Sequence, residues 1–287
     1  MQRRHPVVVG DAGGEVTEID EQRSRTRRHI VPDPVAAEHL RLPTRQGETF
    51  VLASGPPDAP PVVLLHGSGA NATMWREDTA VWARHLRTYA VDLVGEPGLS
   101  APSRPPLDSD AYVRWLDEVL DHLGLADTAV VGISLGGWMA LEYATHRPQR
   151  VSRLALLCPG GVGAQKTAWL FRALLLRPFG RWGARRSVRV VTGLDMPLSR
   201  PVLEHLMLTF AQFRPRTERL PVFSDDALRR LAMPVQVTVG ASDVMFDSAG
   251  TADRVRRCVP HATVNVLPGV GHALLDQTEP VLEFLRG

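Results

Sequence analysis

Cysteine is nearly missing from this chain. Among 287 residues there are two, Cys158 in an apolar run and Cys258 near the end of a predicted helix. Two distant thiols cannot form a disulfide framework, so the fold has to rest on a hydrophobic core and both are expected to be free. A strong charge of either sign is missing too. Thirty-three basic residues nearly balance thirty-one acidic ones, and a formal net charge of +2 gives no reason to expect nucleic acid as a partner. No apolar run reaches the roughly 18 residues of a membrane span, and the run inside "RRHPVVVGDAGG" is too short for a secretion signal. The expectation is a cytoplasmic protein without stable membrane insertion. No His, Cys or carboxylate cluster has the chain spacing of metal ligands, and no G-x-G-x-x-G follows a strand, so neither a metal nor a cofactor is expected. Internal repeats and low-complexity tracts are absent as well.

What the chain does have is 44% hydrophobic residues, enough for one large α/β domain. Residues 1–34 mix Gly, Glu, Arg and Pro without a helical or strand period, end near "RSRTRRH", and read as a disordered arm ahead of a domain at 35–287. "EHLRLPTRQGETFVLASG" predicts a hairpin turning near Arg45, Gln46 and Gly47. Continuous apolar bursts follow: "PPVVLLHGSG", "TYAVDLVG", "TAVVGIS", "VSRLALLCP", "MPVQVTVGASD" and "ATVNVLPGVGH". Helical stretches separate them. One runs through Trp82 and Leu86, and another places Val113, Leu116, Leu120 and Leu123 at intervals of 3, 4 and 3. Further helices are predicted at 135–145, at 251–258 and at "EPVLEFLRG". Apolar strands that do not alternate, separated by amphipathic helices, indicate a parallel sheet covered on both faces. The alternation breaks between 160 and 226, which reads as an insertion.

Within "VVGISLGGWMALEYATHRP", Gly132, Ser134 and Gly136 fit G-x-S-x-G where a strand turns into a helix. A nucleophile elbow needs that context: the serine adopts a strained backbone, and its neighbours two residues away must be small to avoid collision. A serine hydroxyl is a weak nucleophile near neutral pH, so the arrangement requires a histidine to take its proton and a carboxylate to orient that histidine, carboxylate first along the chain. His272 stands in the Gly-rich loop "PGVGHALLDQTEP" after the last predicted strand. His85, His122 and His146 sit in or beside helices, and His261 precedes its strand. "GASDVMFD" offers Asp243 and Asp247. Asp243, just past the strand at the ligand side of such sheets, is preferred, while Asp247 suits a helix cap and Asp276 is out of order. Two backbone donors should face the oxyanion: the amide of Leu135, after the serine, and that of Ser68 in "LLHGSGANATMW", where Gly67 and Gly69 let the backbone bend toward the site.

With these residues in place, the chain resembles the α/β-hydrolase superfamily over residues 38–287, in its lidded, cofactor-free serine-hydrolase branch. "HGSG", "DLVGEPGLSAP", "GISLGG", "GASD" and "GVGH" occur in the family's order. The resemblance implies an eight-stranded, mostly parallel sheet with helices on both faces and a helical lid at 160–226. It implies hydrolysis of a carboxylic ester, thioester or lactone of a small, hydrophobic substrate through an acyl-enzyme on Ser134. The loop after Asp92 is structural in that family. Epoxide hydrolases and haloalkane dehalogenases carry aspartate where this chain has Ser134. Meta-cleavage-product hydrolases share the outline, but read H-G-x-G-P-G and N-S-M where this chain has Ala70 after "HGSG", and Ile133 and Leu135 around the serine. Perhydrolases, proline iminopeptidases, acyltransferases and non-catalytic ligand-binding homologues remain alternatives.

Inside the insertion, Trp169, Phe171, Leu174, Leu175, Leu176, Phe179 and Trp182 interleave with Arg172, Arg177, Arg181, Arg185 and Arg186. The preferred reading is a lid whose apolar face covers the pocket while its arginines face water. The other is a basic surface that docks on a membrane or admits anionic substrates. The expected partner is a small-molecule substrate, and the expected assembly a monomer or homodimer.

Overall fold

The expected eight-stranded sheet forms because each central strand is apolar on both faces. In the computed structural model, which describes residues 37–169, 218–287 and scattered positions between 175 and 216, β3 (Pro61–Leu65), β5 (Thr128–Ile133), β6 (Val151–Leu157) and β7 (Val235–Gly240) are almost wholly buried. Successive side chains point to opposite faces. Val63, Leu65 and Val130 therefore join one core layer, and Val62, Leu64 and Val131 the other. The predicted arm at 1–34, and most of the predicted lid at 160–226, lie outside the described residues.

The remaining strands are β1 (Glu38–Thr44), β2 (Gly47–Ser54), β4 (Arg87–Val91) and β8 (Thr263–Leu267). The sheet order is β1-β2-β4-β3-β5-β6-β7-β8. β1 and β2 form the predicted antiparallel hairpin, β2 runs antiparallel to β4, and all other neighbours are parallel. The edge strand β8 is only half-buried, and β1 carries Arg41 paired to Glu48 of β2, charge that discourages further pairing.

Two helical layers cover the sheet. On one face lie α2 (Ala111–His122), α3 (Leu135–His146), α4 (Asp225–Arg229) and α5 (Ser248–Cys258), with Trp115, Leu116, Trp138, Leu141, Leu228 and Val255 in the core. On the other lie α1 (Arg76–Trp82) and α6 (Thr278–Arg286), joined where the Trp82 indole N–H donates to the Thr278 carbonyl at 2.8 Å. The predicted stripe at 113, 116 and 120 is the buried face of α2. α3 is buried on nearly all sides, which explains its apolar sequence.

Two boundaries differ from expectation. α5 starts at Ser248 rather than 251, because the Asp247 carboxylate accepts the Gly250 amide and caps the helix there. The stretch predicted helical through Leu86 stops at Trp82, and Leu86 closes a following turn onto the Trp82 carbonyl.

The insertion leaves and returns at one place. The Phe223 amide donates to the Gly161 carbonyl at 2.9 Å, and the Trp138 indole N–H to the Pro221 carbonyl at 2.9 Å. Arg254 of α5 holds both ends, donating to the Val162 and Phe223 carbonyls.

Candidate active site

The six parallel strands β3, β4, β5, β6, β7 and β8 all end at one sheet edge, so the residues that follow them meet there. Ser134 follows β5, with φ 55° and ψ −111°, a backbone region that non-glycine residues rarely occupy. Its neighbours make that turn possible. A Cβ at Gly132 would stand 2.4 Å from the Gly136 carbonyl oxygen, and one at Gly136 would stand 2.2 Å from that of Leu65. Only glycine fits at either point. The Ser134 amide donates to the Leu157 carbonyl at 2.9 Å, which ties the turn to β6.

His272 and Asp243 arrive from the loops after β8 and β7. His272 Nε2 lies 3.0 Å from Ser134 Oγ, and its Nδ1 lies 2.8 Å from Asp243 Oδ2. Each nitrogen therefore has one partner, as a proton relay from a hydroxyl requires. The other Asp243 oxygen accepts the amides of Met245 at 2.6 Å and Phe246 at 3.2 Å. Burial pushes the Asp243 carboxyl up, but the imidazole and the two amides outweigh it and leave the group below its usual range. The Phe246 ring packs 5.4 Å from the His272 ring and limits its swing. Asp243 is thus the carboxylate beside His272, while Asp247 caps α5 through the Gly250 amide.

The turn after β3 lies against the serine. A Cβ at Gly67 would come 3.5 Å from Ser134 Cβ. Among the described residues, no hydrogen bond occupies the amide of Ser68 or that of Leu135. His66 braces the turn from within. Its Nδ1–H donates to the Gly67 carbonyl at 2.8 Å, its Nε2 accepts the Leu93 amide at 2.9 Å, and complete burial lowers its pKa to about 4, so the ring is neutral. Asp92 braces the neighbouring loop, accepting the amides of Ala72 at 2.6 Å and Leu99 at 2.7 Å, with its pKa raised to about 6 by burial.

Three participants were not assigned from the sequence. Glu96, buried in the loop quoted as "DLVGEPGLSAP", accepts the Gly69 amide at 2.7 Å and the Ser68 hydroxyl at 3.0 Å, and so holds the turn that carries the Ser68 amide. Burial raises its pKa against those two bonds and the nearby Arg104 and Arg216. Lys166, the single lysine of the chain, donates from Nζ to the Asp243 carbonyl at 2.8 Å, and its amide donates to Met245. Cys158, free and buried, follows β6 directly and lies beside Asp243 and His272. Its neighbourhood was invisible in chain spacing, because the three groups come from three separate strand ends. A hollow at the opposite sheet edge, lined by Pro61, Leu86, Asp127, Thr128, Ser152 and Arg153 among others, has no histidine beside its hydroxyls.

The chain has known relatives. The Alpha/beta hydrolase family profile matches residues 62–284. Carboxylesterase YbfK of Bacillus subtilis is 30% identical over 269 residues, covering 88% of this chain and 90% of that protein. The 2-hydroxy-6-oxo-2,4-heptadienoate hydrolase of Pseudomonas putida is 37% identical over 236 residues, covering 79% and 75%. The crystal structure of naproxen esterase from Bacillus subtilis superposes with a TM-score of 0.81 at 27% identity, covering 94% of this chain and 98% of that one. The chain belongs to the alpha/beta hydrolase family and is a hydrolase.

Proposed function

We propose that the protein is a serine hydrolase that cleaves carboxylic esters, thioesters or lactones of small, hydrophobic substrates through an acyl-enzyme on Ser134. The observation that carries this reading is the continuous chain from Ser134 Oγ to His272 at 3.0 Å and from His272 to Asp243 at 2.8 Å. Relatives named as carboxylesterases support it. Ser134 Oγ attacks the carbonyl carbon as its proton passes to His272 Nε2. The oxyanion settles on the amides of Ser68 and Leu135. The tetrahedral intermediate collapses, the alkoxide leaves with the proton from Nε2, and a water deprotonated by the same nitrogen releases the acid. Asp243 holds the ring with Nδ1–H toward itself and stabilises the imidazolium. These residues supply every proton transfer, so no step draws on a metal or cofactor. The protein acts on a small molecule in the cytoplasm, as a monomer or homodimer.

The insertion at 160–226 serves as the lid in this reading. Its Thr209 approaches the Ser68 turn, where a Cβ at Gly69 would lie 4.0 Å from Thr209 Cγ2. An apolar lid favours longer acyl chains. A p-nitrophenyl ester series tests this: kcat/KM should rise from acetate toward octanoate, and Ser134→Ala should lower kcat by at least about 10⁴-fold. Equal rates along the series would remove the hydrophobic preference, and unchanged turnover in Ser134→Ala would remove the mechanism. The 37% identity to a heptadienoate hydrolase favours carbon–carbon hydrolysis as a second reading. A dienoate ketone cleaved while all esters stay intact would establish it.

A further inference from the structure

The fold assembles a triangle of one soft, one borderline and one hard ligand beside the serine's histidine. Cys158 Sγ, an Asp243 carboxylate oxygen and a His272 ring nitrogen lie within 4.8 Å of one another. They sit at the ends of the neighbouring strands β6, β7 and β8, on backbone already held in place. Cys158 has φ 43°, unusual for a residue with a side chain, and its amide donates to the Thr238 carbonyl at 2.9 Å. Cys158 and Asp243 are buried, and His272 is partly exposed.

We propose that this triangle binds a soft divalent cation, Zn²⁺ or Cd²⁺, and that its occupancy switches Ser134 off. Three atoms no more than 4.8 Å apart share a point no more than about 2.8 Å from each. Zinc bonds to sulfur, nitrogen and oxygen run about 2.0–2.3 Å, so closure by under an ångström completes three ligands, with water as the fourth. One thiolate, one imidazole and one carboxylate suit Zn²⁺ or Cd²⁺, whereas Mg²⁺ and Ca²⁺ require oxygen sets. As the sulfur–metal bond forms, the thiol proton leaves to solvent and nothing is oxidised. Metal on Nδ1 breaks the bond to Asp243 Oδ2 and moves the ring's one remaining proton to Nε2. That nitrogen then donates to Ser134 Oγ instead of accepting from it.

Cation binding stands apart from the hydrolase reading, and only the loss of turnover rests on it. The test is a Cd²⁺ titration of the full chain, read by the ultraviolet thiolate-to-cadmium charge-transfer band, with p-nitrophenyl acetate turnover followed in parallel. We expect one equivalent bound in wild type and in Cys258→Ser, no band in Cys158→Ser or Cys158→Ala, and affinity at least about tenfold weaker in His272→Ala. Wild-type turnover should fall with Cd²⁺ and return with EDTA, whereas the turnover of Cys158→Ser, at whatever level it starts, should not respond to Cd²⁺. Circular dichroism identifies which Cys158 variant is folded. A band that survives in a folded Cys158 variant, one that is lost in Cys258→Ser, or none in wild type would overturn the proposal. A band with no turnover of either p-nitrophenyl acetate or octanoate in metal-free wild type would uphold the cation site and overturn the ester-hydrolase reading.

Discussion

Ser134 is held in a conformation that costs on the order of 1–3 kcal/mol, and it persists because its surroundings allow nothing else. Gly136→Ala places a methyl 2.2 Å from the Leu65 carbonyl oxygen, so the turn must open. We expect about 3 kcal/mol less stability by denaturant unfolding and loss of ester turnover; a fully stable, active variant would contradict the collision. His66 shows a second kind of constraint, imposed on charge. Its folded pKa of about 4 lies below the value of about 6.5 for an unfolded histidine, so the unfolded chain takes up the proton first. The stability it contributes is complete above about pH 6.5 and drains away as pH falls toward 4, by about 3 kcal/mol. His66→Gln removes that titration. Unfolding curves at neutral and acid pH should show a flatter dependence in the variant than in wild type, and identical slopes would place the acid sensitivity elsewhere.

Among the elements, α5 does more than cover the sheet. Arg254 lies mostly buried and joins the Val162 carbonyl at 2.9 Å, the Asp225 carboxylate at 2.7 Å and the Phe223 carbonyl, closing the point where the insertion departs and returns. Arg254→Met keeps the apolar stem but leaves both carbonyls without their donor, at about 2–3 kcal/mol. A fall of about 5–10 °C in Tm should follow in calorimetry, with no fall if water replaces the guanidinium. The strands and helices were legible in the sequence wherever burial set the period, as in the α2 stripe and the apolar run of β5. Element ends were less so. The start of α5 depends on one side-chain bond from Asp247, and apolar periodicity carries no trace of it.

Across the whole molecule, the parallel sheet gathers Ser134 and His272, 138 positions apart, at one edge. Their order and flanking glycines made them legible, because an elbow and its partners demand particular residue types at particular strand ends. Glu96, Lys166 and Cys158 were not, since a buried carboxylate, a loop lysine and a strand-end thiol acquire meaning only from what folds against them. In the proposed mechanism the assembled edge activates Ser134. Intact-protein mass spectrometry after a fluorophosphonate probe tests it most directly, comparing wild type with Ser134→Ala and His272→Ala. One label per chain is expected in wild type, none in Ser134→Ala and markedly slower labelling in His272→Ala. A folded wild type that takes no label, or a Ser134→Ala variant that takes one, would contradict it.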